Sequence, residues 1–134
     1  MPSSIASDDV YDAFPERPCG TAVLLLAGSS GRLESARADL LGHRGSRVRA
    51  IRWFGGIGQR PAPHEVPIEM FIDQIELLRR DHDRVAIFGT SFGAEAALVT
   101  ASTVEIDATI AVSPSSVVSV SYTHLRAHET KANL

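Results

Sequence analysis

The chain alternates between short apolar runs and longer stretches in which apolar residues recur every three or four positions. Residues 22–27 (Ala-Val-Leu-Leu-Leu-Ala) are continuously apolar and stand between Gly20 and Gly28. A run of that length between glycines predicts a strand covered on both faces. Leu33, Ala36, Leu40 and Leu41 follow helical spacing up to Gly42 and Gly45, so 33–43 reads as a helix. Residues 47–54 alternate and carry β-branched and aromatic side chains, which predicts a second strand. Three glycines and three prolines fill 55–67, a long loop. Apolar residues at 68, 71, 72, 75, 77 and 78 give 68–80 the stripe of an amphipathic helix. Residues 84–88 read as a third strand, 91–102 as an alanine-rich third helix, and 106–112 as a fourth strand closed by Ser113 and Pro114.

Strands and helices in strict alternation predict an α/β fold, a three-layer sandwich built on a mainly parallel sheet. Ligands of such sheets bind at the carboxyl ends of the strands. Chemistry is therefore expected in the loops after Ala27, Phe54, Phe88 and Val112. Two segments stand outside this pattern. Residues 1–20 are rich in Ser, Asp and Pro, and Pro15 and Pro18 mark them as a lead-in without regular structure. Residues 121–134 are polar and extend no periodicity. Their string Ser-Tyr-Thr-His-Leu-Arg-Ala-His-Glu-Thr is similar to a translated sequencing adapter, so the natural chain is expected to run differently after about residue 120. The organised unit is then 21–120.

Composition narrows the partners. The 134 residues amount to one domain, 44% hydrophobic and 22% charged, with a net charge of −3 spread along the chain. No broad positive field exists, so neither nucleic acid nor an anionic membrane is expected as a partner. The single cysteine, Cys19, excludes an internal disulfide. No apolar run reaches the ~20 residues of a membrane span. The polar, acidic start is unlike a signal peptide, and the cytoplasm is the expected compartment.

The strongest chemical signal is Gly89-Thr-Ser-Phe-Gly93, a Gly-x-Ser-x-Gly pattern between a predicted strand and a predicted helix. A nucleophilic serine needs a sharp strand-to-helix turn that lifts its Oγ clear of the sheet, and small residues two positions to either side let strand and helix approach. Ser91 is the expected nucleophile, with Gly89 and Gly93 shaping the turn. The competing reading makes Ser91 a simple helix cap. The backbone N–H of Phe92 and one from Ser29 or Ser30, in the Gly28–Gly31 loop, are the expected oxyanion donors. That loop could instead hold a phosphate. It lacks the third glycine of a dinucleotide fingerprint and the Gly-Lys of a P-loop, and the next strand ends in Arg52-Trp53 rather than an acid.

Taken together, residues 24–31, 40–45, 53–55, 87–95 and 111–117 resemble the C-terminal domain shared by acyl-CoA thioesterases and bile acid-CoA:amino acid N-acyltransferases, an α/β-hydrolase branch near the dienelactone hydrolases. The resemblance implies acyl transfer from a small thioester or ester through an acyl-Ser91 intermediate, with no cofactor and no metal. Such proteins often carry a β-sandwich domain first, which 1–20 cannot supply. Their triad runs Ser, then acid, then His, and only 43 residues follow Ser91. Asp107 opens the fourth strand, at the wrong end of the sheet. His124 and His128 lie in the divergent tail, and their spacing offers two metal ligands without a third. His43, His64 and His82 read as surface histidines, and Glu95 as either a solvated helix position or a loop acceptor. The expectation is a nucleophile whose acid and base lie outside this sequence, with little turnover from the chain as written. A non-catalytic fragment or a binding module on the same scaffold is the competing class.

Overall fold

The computed structural model describes residues 5–28, 30–113 and 122–123. The strands are β1 (Val10–Ala13), β2 (Thr21–Leu26), β3 (Arg47–Ile51), β4 (Val66–Pro67), β5 (Arg84–Thr90), β6 (Ala108–Val112) and β7 (Tyr122–Thr123). The helices are α1 (Ser35–His43), α2 (Glu69–Arg79) and α3 (Phe92–Thr103). Five strands form one sheet in the order β1-β3-β2-β5-β6, and β4 pairs with β7 in a separate two-residue ladder. Within the large sheet every pairing is parallel except β1 against β3. The predicted α/β architecture is therefore present.

The apolar run of β2 is buried throughout because both faces are covered. Ala22, Leu24 and Leu26 join Ile72 and Ile75 of α2 and Ala96 and Ala97 of α3 in one core. Val23 and Leu25 turn the other way and pack with Ala38 of α1. Handedness accounts for this division. Parallel strands are joined by right-handed crossovers, so the direction of travel along the sheet decides which face the helix covers. The chain goes from β2 to β3 on one side, then jumps back past β2 to β5. Helix α1 lies on one face and α2 and α3 on the other. The reversal leaves a crevice between the carboxyl ends of β2 and β5, the place where open α/β sheets bind ligands.

The lead-in contains a strand that its prolines disguise. Asp12 on β1 sits opposite Arg49 on β3. Its carboxylate meets Arg47 at 2.7 Å and Arg49 at 3.2 Å. Opposed charges across a ladder stabilise it, and here they pin an edge strand of four residues. Strand β3 also stops sooner than its alternation predicts, at Ile51. Arg52 N donates to Asp9 O at 2.8 Å, and Trp53 and Phe54 leave the ladder for the core. Strand β6 is an edge among the described residues, with Ile110 43% and Val112 42% exposed. No helix among the described residues is long and apolar enough to cross a membrane. The expectation for 121–134 lies outside the described residues except for the pairing of β7.

Candidate active site at the sheet crevice

The β2–β5 ladder ends where Leu26 faces Gly89, and β5 runs on to Thr90 beside Val112 of β6. The next residue, Ser91, has φ 56° and ψ −117°, and α3 begins at Phe92. A non-glycine residue in that region carries about 1–3 kcal/mol of strain and is held there by its surroundings. Three backbone bonds do the holding. Ser91 N donates to Val112 O at 2.9 Å, while Ala94 N and Glu95 N donate to Ser91 O at 2.9 and 3.2 Å. The side chain makes no capping hydrogen bond to the helix. Ser91 thus holds the N-cap position without a side-chain cap, and this half-buried residue stands at the positive end of the α3 dipole.

The glycines on either side are required by close approach. A Cβ added at Gly93 would lie 2.5 Å from Ala27 O and 2.8 Å from Leu26 O. One added at Gly89 would collide with the Gly93 carbonyl. The start of α3 therefore rests directly on the end of β2, and only hydrogen atoms fit between.

The loop after β2 reaches the same place. A Cβ at Gly28 would lie 2.8 Å from Thr90 O and 3.4 Å from Ser91 Cβ, so the Gly28 backbone borders the serine turn. Gly31 N donates to Gly28 O at 3.2 Å and closes the loop. Ser30 Oγ accepts a long bond of 3.4 Å from Arg32 N. Ser29 lies outside the described residues. Behind the loop, Trp53 Nε1 donates to Ala27 O at 3.1 Å. The Trp53 ring stands edge-on to Phe54 and Phe71, with centroids 4.9 and 5.4 Å away. Beside Trp53 a cavity of about 730 Å³ opens at the carboxyl end of the sheet, lined in part by Ile57, Arg60, Val66 and Met70.

Other candidates sit elsewhere. Asp107 lies at the amino end of the sheet, as expected, yet it is not a bystander. Its Oδ2 accepts from Val85 N at 2.8 Å and from Arg79 Nη1 at 2.9 Å. The Val85 amide first, and the Arg79 guanidinium second, hold its carboxyl below the ordinary carboxylate range. His82 is half-buried rather than a free surface residue, because its Nδ1 lies 2.9 Å from Leu78 O at the end of α2. His43 and His64 are exposed. Glu95 is only 4% exposed, so the solvated reading of it fails. His124 and His128 lie outside the described residues. Among the described residues no three His, Cys, Asp or Glu side chains gather to hold a metal.

Two residues at the site carry no chemical signal of their own in the sequence, although Trp53 belongs to one of the resembling stretches. Trp53 reads as part of a strand, and Arg37 as one charge on a helix surface. The structure brings Arg37 Nη1 to 2.9 Å from Thr90 Oγ1.

No protein-family model matches the chain, and no curated protein matches it. Solved structures do. A probable hydrolytic enzyme from Pseudomonas aeruginosa PAO1 superimposes with a TM-score of 0.60 at 20% identity, over 78% of this chain and 36% of the other. The chain shares its fold with that enzyme. The type II thioesterase BorB, from the borrelidin biosynthetic cluster, gives a TM-score of 0.48 at 22% identity, over 74% of this chain and 42% of the other. The chain thus spans well under half the length of either protein. At 20% identity the likeness to the hydrolytic enzyme concerns the fold, and the narrower resemblance to the thioesterase and N-acyltransferase domain rests on the sequence stretches alone.

Proposed function

We propose that the chain carries the nucleophile and oxyanion half of a serine acyl-transfer site acting on small thioesters or esters. The observation behind this reading is the strained Ser91 between β5 and α3, its hydroxyl uncommitted to the helix, bordering the Gly28 loop at the crevice of the sheet. A histidine takes the Ser91 proton as Oγ attacks the carbonyl carbon, and the carbonyl electrons move to oxygen. The Phe92 N–H and an N–H from Ser29 or Ser30 would stabilise that oxyanion. Collapse expels thiolate or alkoxide and leaves acyl-Ser91. Water then releases the acid, or an amine takes the acyl group. The base is assigned to chain beyond the described residues, and an organised unit of 21–120, with β1 (Val10–Ala13) added to its sheet, belongs to the same proposal.

A reagent that reads the serine directly tests this without needing a complete triad. In a fluorophosphonate, Oγ displaces fluoride at phosphorus, and the phosphonyl oxygen takes the oxyanion's place. In serine hydrolases that lose a triad member, the oxyanion hole and substrate binding together still leave ~10³–10⁴-fold catalysis over water. The folded chain should gain one adduct, on the Ser91 peptide. Ser91→Ala and the urea-unfolded chain should gain none. Acyl-CoA and p-nitrophenyl esters should leave the matching acyl mass on the same peptide. Equal labelling of folded and unfolded chain, or adducts on other serines only, would overturn the reading.

A further inference from the structure

Two donors stabilise an oxyanion only if the distance between them is held, because the gain depends on donors fixed in advance at the place where charge develops. Here the proposed donors belong to different elements. Phe92 opens α3, and Ser30 lies in the loop that leads into α1. The sheet does not link them, since the β2–β5 ladder ends at Leu26 and Gly89, before either donor.

Beyond the ladder, the loop side meets the serine side at Ala27 against Gly93, at Gly28 against Thr90 and Ser91, and through one side-chain hydrogen bond, from Arg37 to Thr90. The Gly28 backbone abuts the Thr90 carbonyl so closely that a Cβ there would lie 2.8 Å from its oxygen. From α1, Arg37 Nη1 donates to the Thr90 hydroxyl at 2.9 Å, in a partly buried setting. The guanidinium carbon stands 5.3 Å from the centre of the Phe88 ring, on the same strand as Thr90. A planar, permanently charged donor over an aromatic face is restrained in direction as well as distance. Arg37 moves with α1 and hence with the loop. Thr90 moves with the nucleophile.

We infer that Arg37 is a positioning residue, which holds the Thr90 hydroxyl so that the Gly28–Gly31 loop and the Ser91 turn keep the spacing that two oxyanion donors need. This rests on the serine-nucleophile reading above. Arg37 touches no reacting atom in this scheme and works entirely through Thr90.

The test is the second-order rate constant for fluorophosphonate labelling of Ser91 in the full chain, normalised to the folded fraction by circular dichroism. Arg37→Ala and Thr90→Val each remove the same bond and should each slow labelling roughly 10- to 100-fold, the scale of a displacement of about 1 Å. The double variant should be no slower than either single variant, because both changes break one link. Thr90→Ser keeps the hydroxyl and should label at close to the wild-type rate. A purely structural role would lower the urea midpoint and leave the rate of the folded fraction unchanged. Wild-type rates in Arg37→Ala or Thr90→Val, or additive losses in the double variant, would overturn the inference and leave the Ser91 reading intact. A folded wild-type chain that takes no label at Ser91 would overturn both. If Arg37→Ala fails to fold, the contrast between Thr90→Val and Thr90→Ser decides the matter.

Discussion

Replacing Gly93 by alanine puts the packing of α3 on β2 to a quantitative trial. In an ordinary helix position, Gly→Ala stabilises by about 1 kcal/mol. At Gly93 the new carbon would sit 2.5 Å from Ala27 O and 2.8 Å from Leu26 O. A relaxed carbon–oxygen approach is about 3.3 Å or more, so α3 must move away by roughly 0.8 Å. Both obstacles are backbone atoms at the end of the central buried strand, which cannot rotate aside. Overpacking of this kind costs typically 1–3 kcal/mol, and the rigid setting argues for the upper end. Setting about 3 kcal/mol of clash against about 1 of helix preference leaves a net loss of about 2 kcal/mol. With a urea m-value of roughly 2 kcal/mol/M, the midpoint should fall by about 1 M. Urea titration followed by circular dichroism at 222 nm reads this directly. Gly42→Ala is the control, since its added carbon would meet only the Ala13 side chain, at 3.3 Å. That shortfall is only a few tenths of an ångström from a relaxed carbon–carbon approach, so the midpoint of this variant should fall by less than half as much as that of Gly93→Ala. A Gly93→Ala midpoint at or above wild type would show that the start of α3 does not rest on β2, and the geometry of the site would fall with it.

Further outcomes follow from other parts of the molecule. Ser91→Gly should raise the urea midpoint by relieving about 1–2 kcal/mol of backbone strain while abolishing labelling, whereas Ser91→Ala should abolish labelling without that gain; equal midpoints would refute the strain. Asp107 is held below its ordinary carboxylate range, so its bonds to Val85 and Arg79 contribute stability above about pH 4 that fades as acid protonates it. Thermal melts should therefore fall more steeply for wild type than for Asp107→Asn as pH drops from about 4 to 2, and parallel curves would contradict the assignment. Ile110→Lys places a charge on the exposed β6 edge and should reduce self-association measured by sedimentation velocity. An unchanged distribution would mean that β6 does not mediate contact between copies.

The parts of the fold legible in the sequence are those encoded locally. The 22–27 run, the alternation at 47–54 and the stripe from 68 to 78 each betray their element because period and burial coincide. The serine turn was legible too, since two glycines around a serine, between a strand and a helix, form a local statement. Strand β1 was not. Its four residues owe their conformation to Arg47 and Arg49, more than thirty positions away, and the flanking prolines point in the opposite direction. Glu95 is ambiguous in the sequence for another reason. Helix α3 is alanine-rich on all sides, so its sequence does not show which side meets the sheet. Arg37 was invisible because its partner is 53 residues away and reaches it only through the crossover past β2.

Trp53 has a use beyond packing. It is the chain's only tryptophan, 1% exposed, and its indole nitrogen is bonded to the carbonyl just before Gly28. Tryptophan emission from this protein, excited beyond the tyrosine absorption band, therefore comes from a single dry spot against the candidate site, with no second indole to dilute it. Loss of that bond or entry of water shifts the emission to longer wavelength. A ligand that presses on the loop is thus visible in the fluorescence of the unlabelled chain. Binding at the crevice can be followed by titration even where no bond is made or broken, which separates recognition from any chemistry proposed for Ser91.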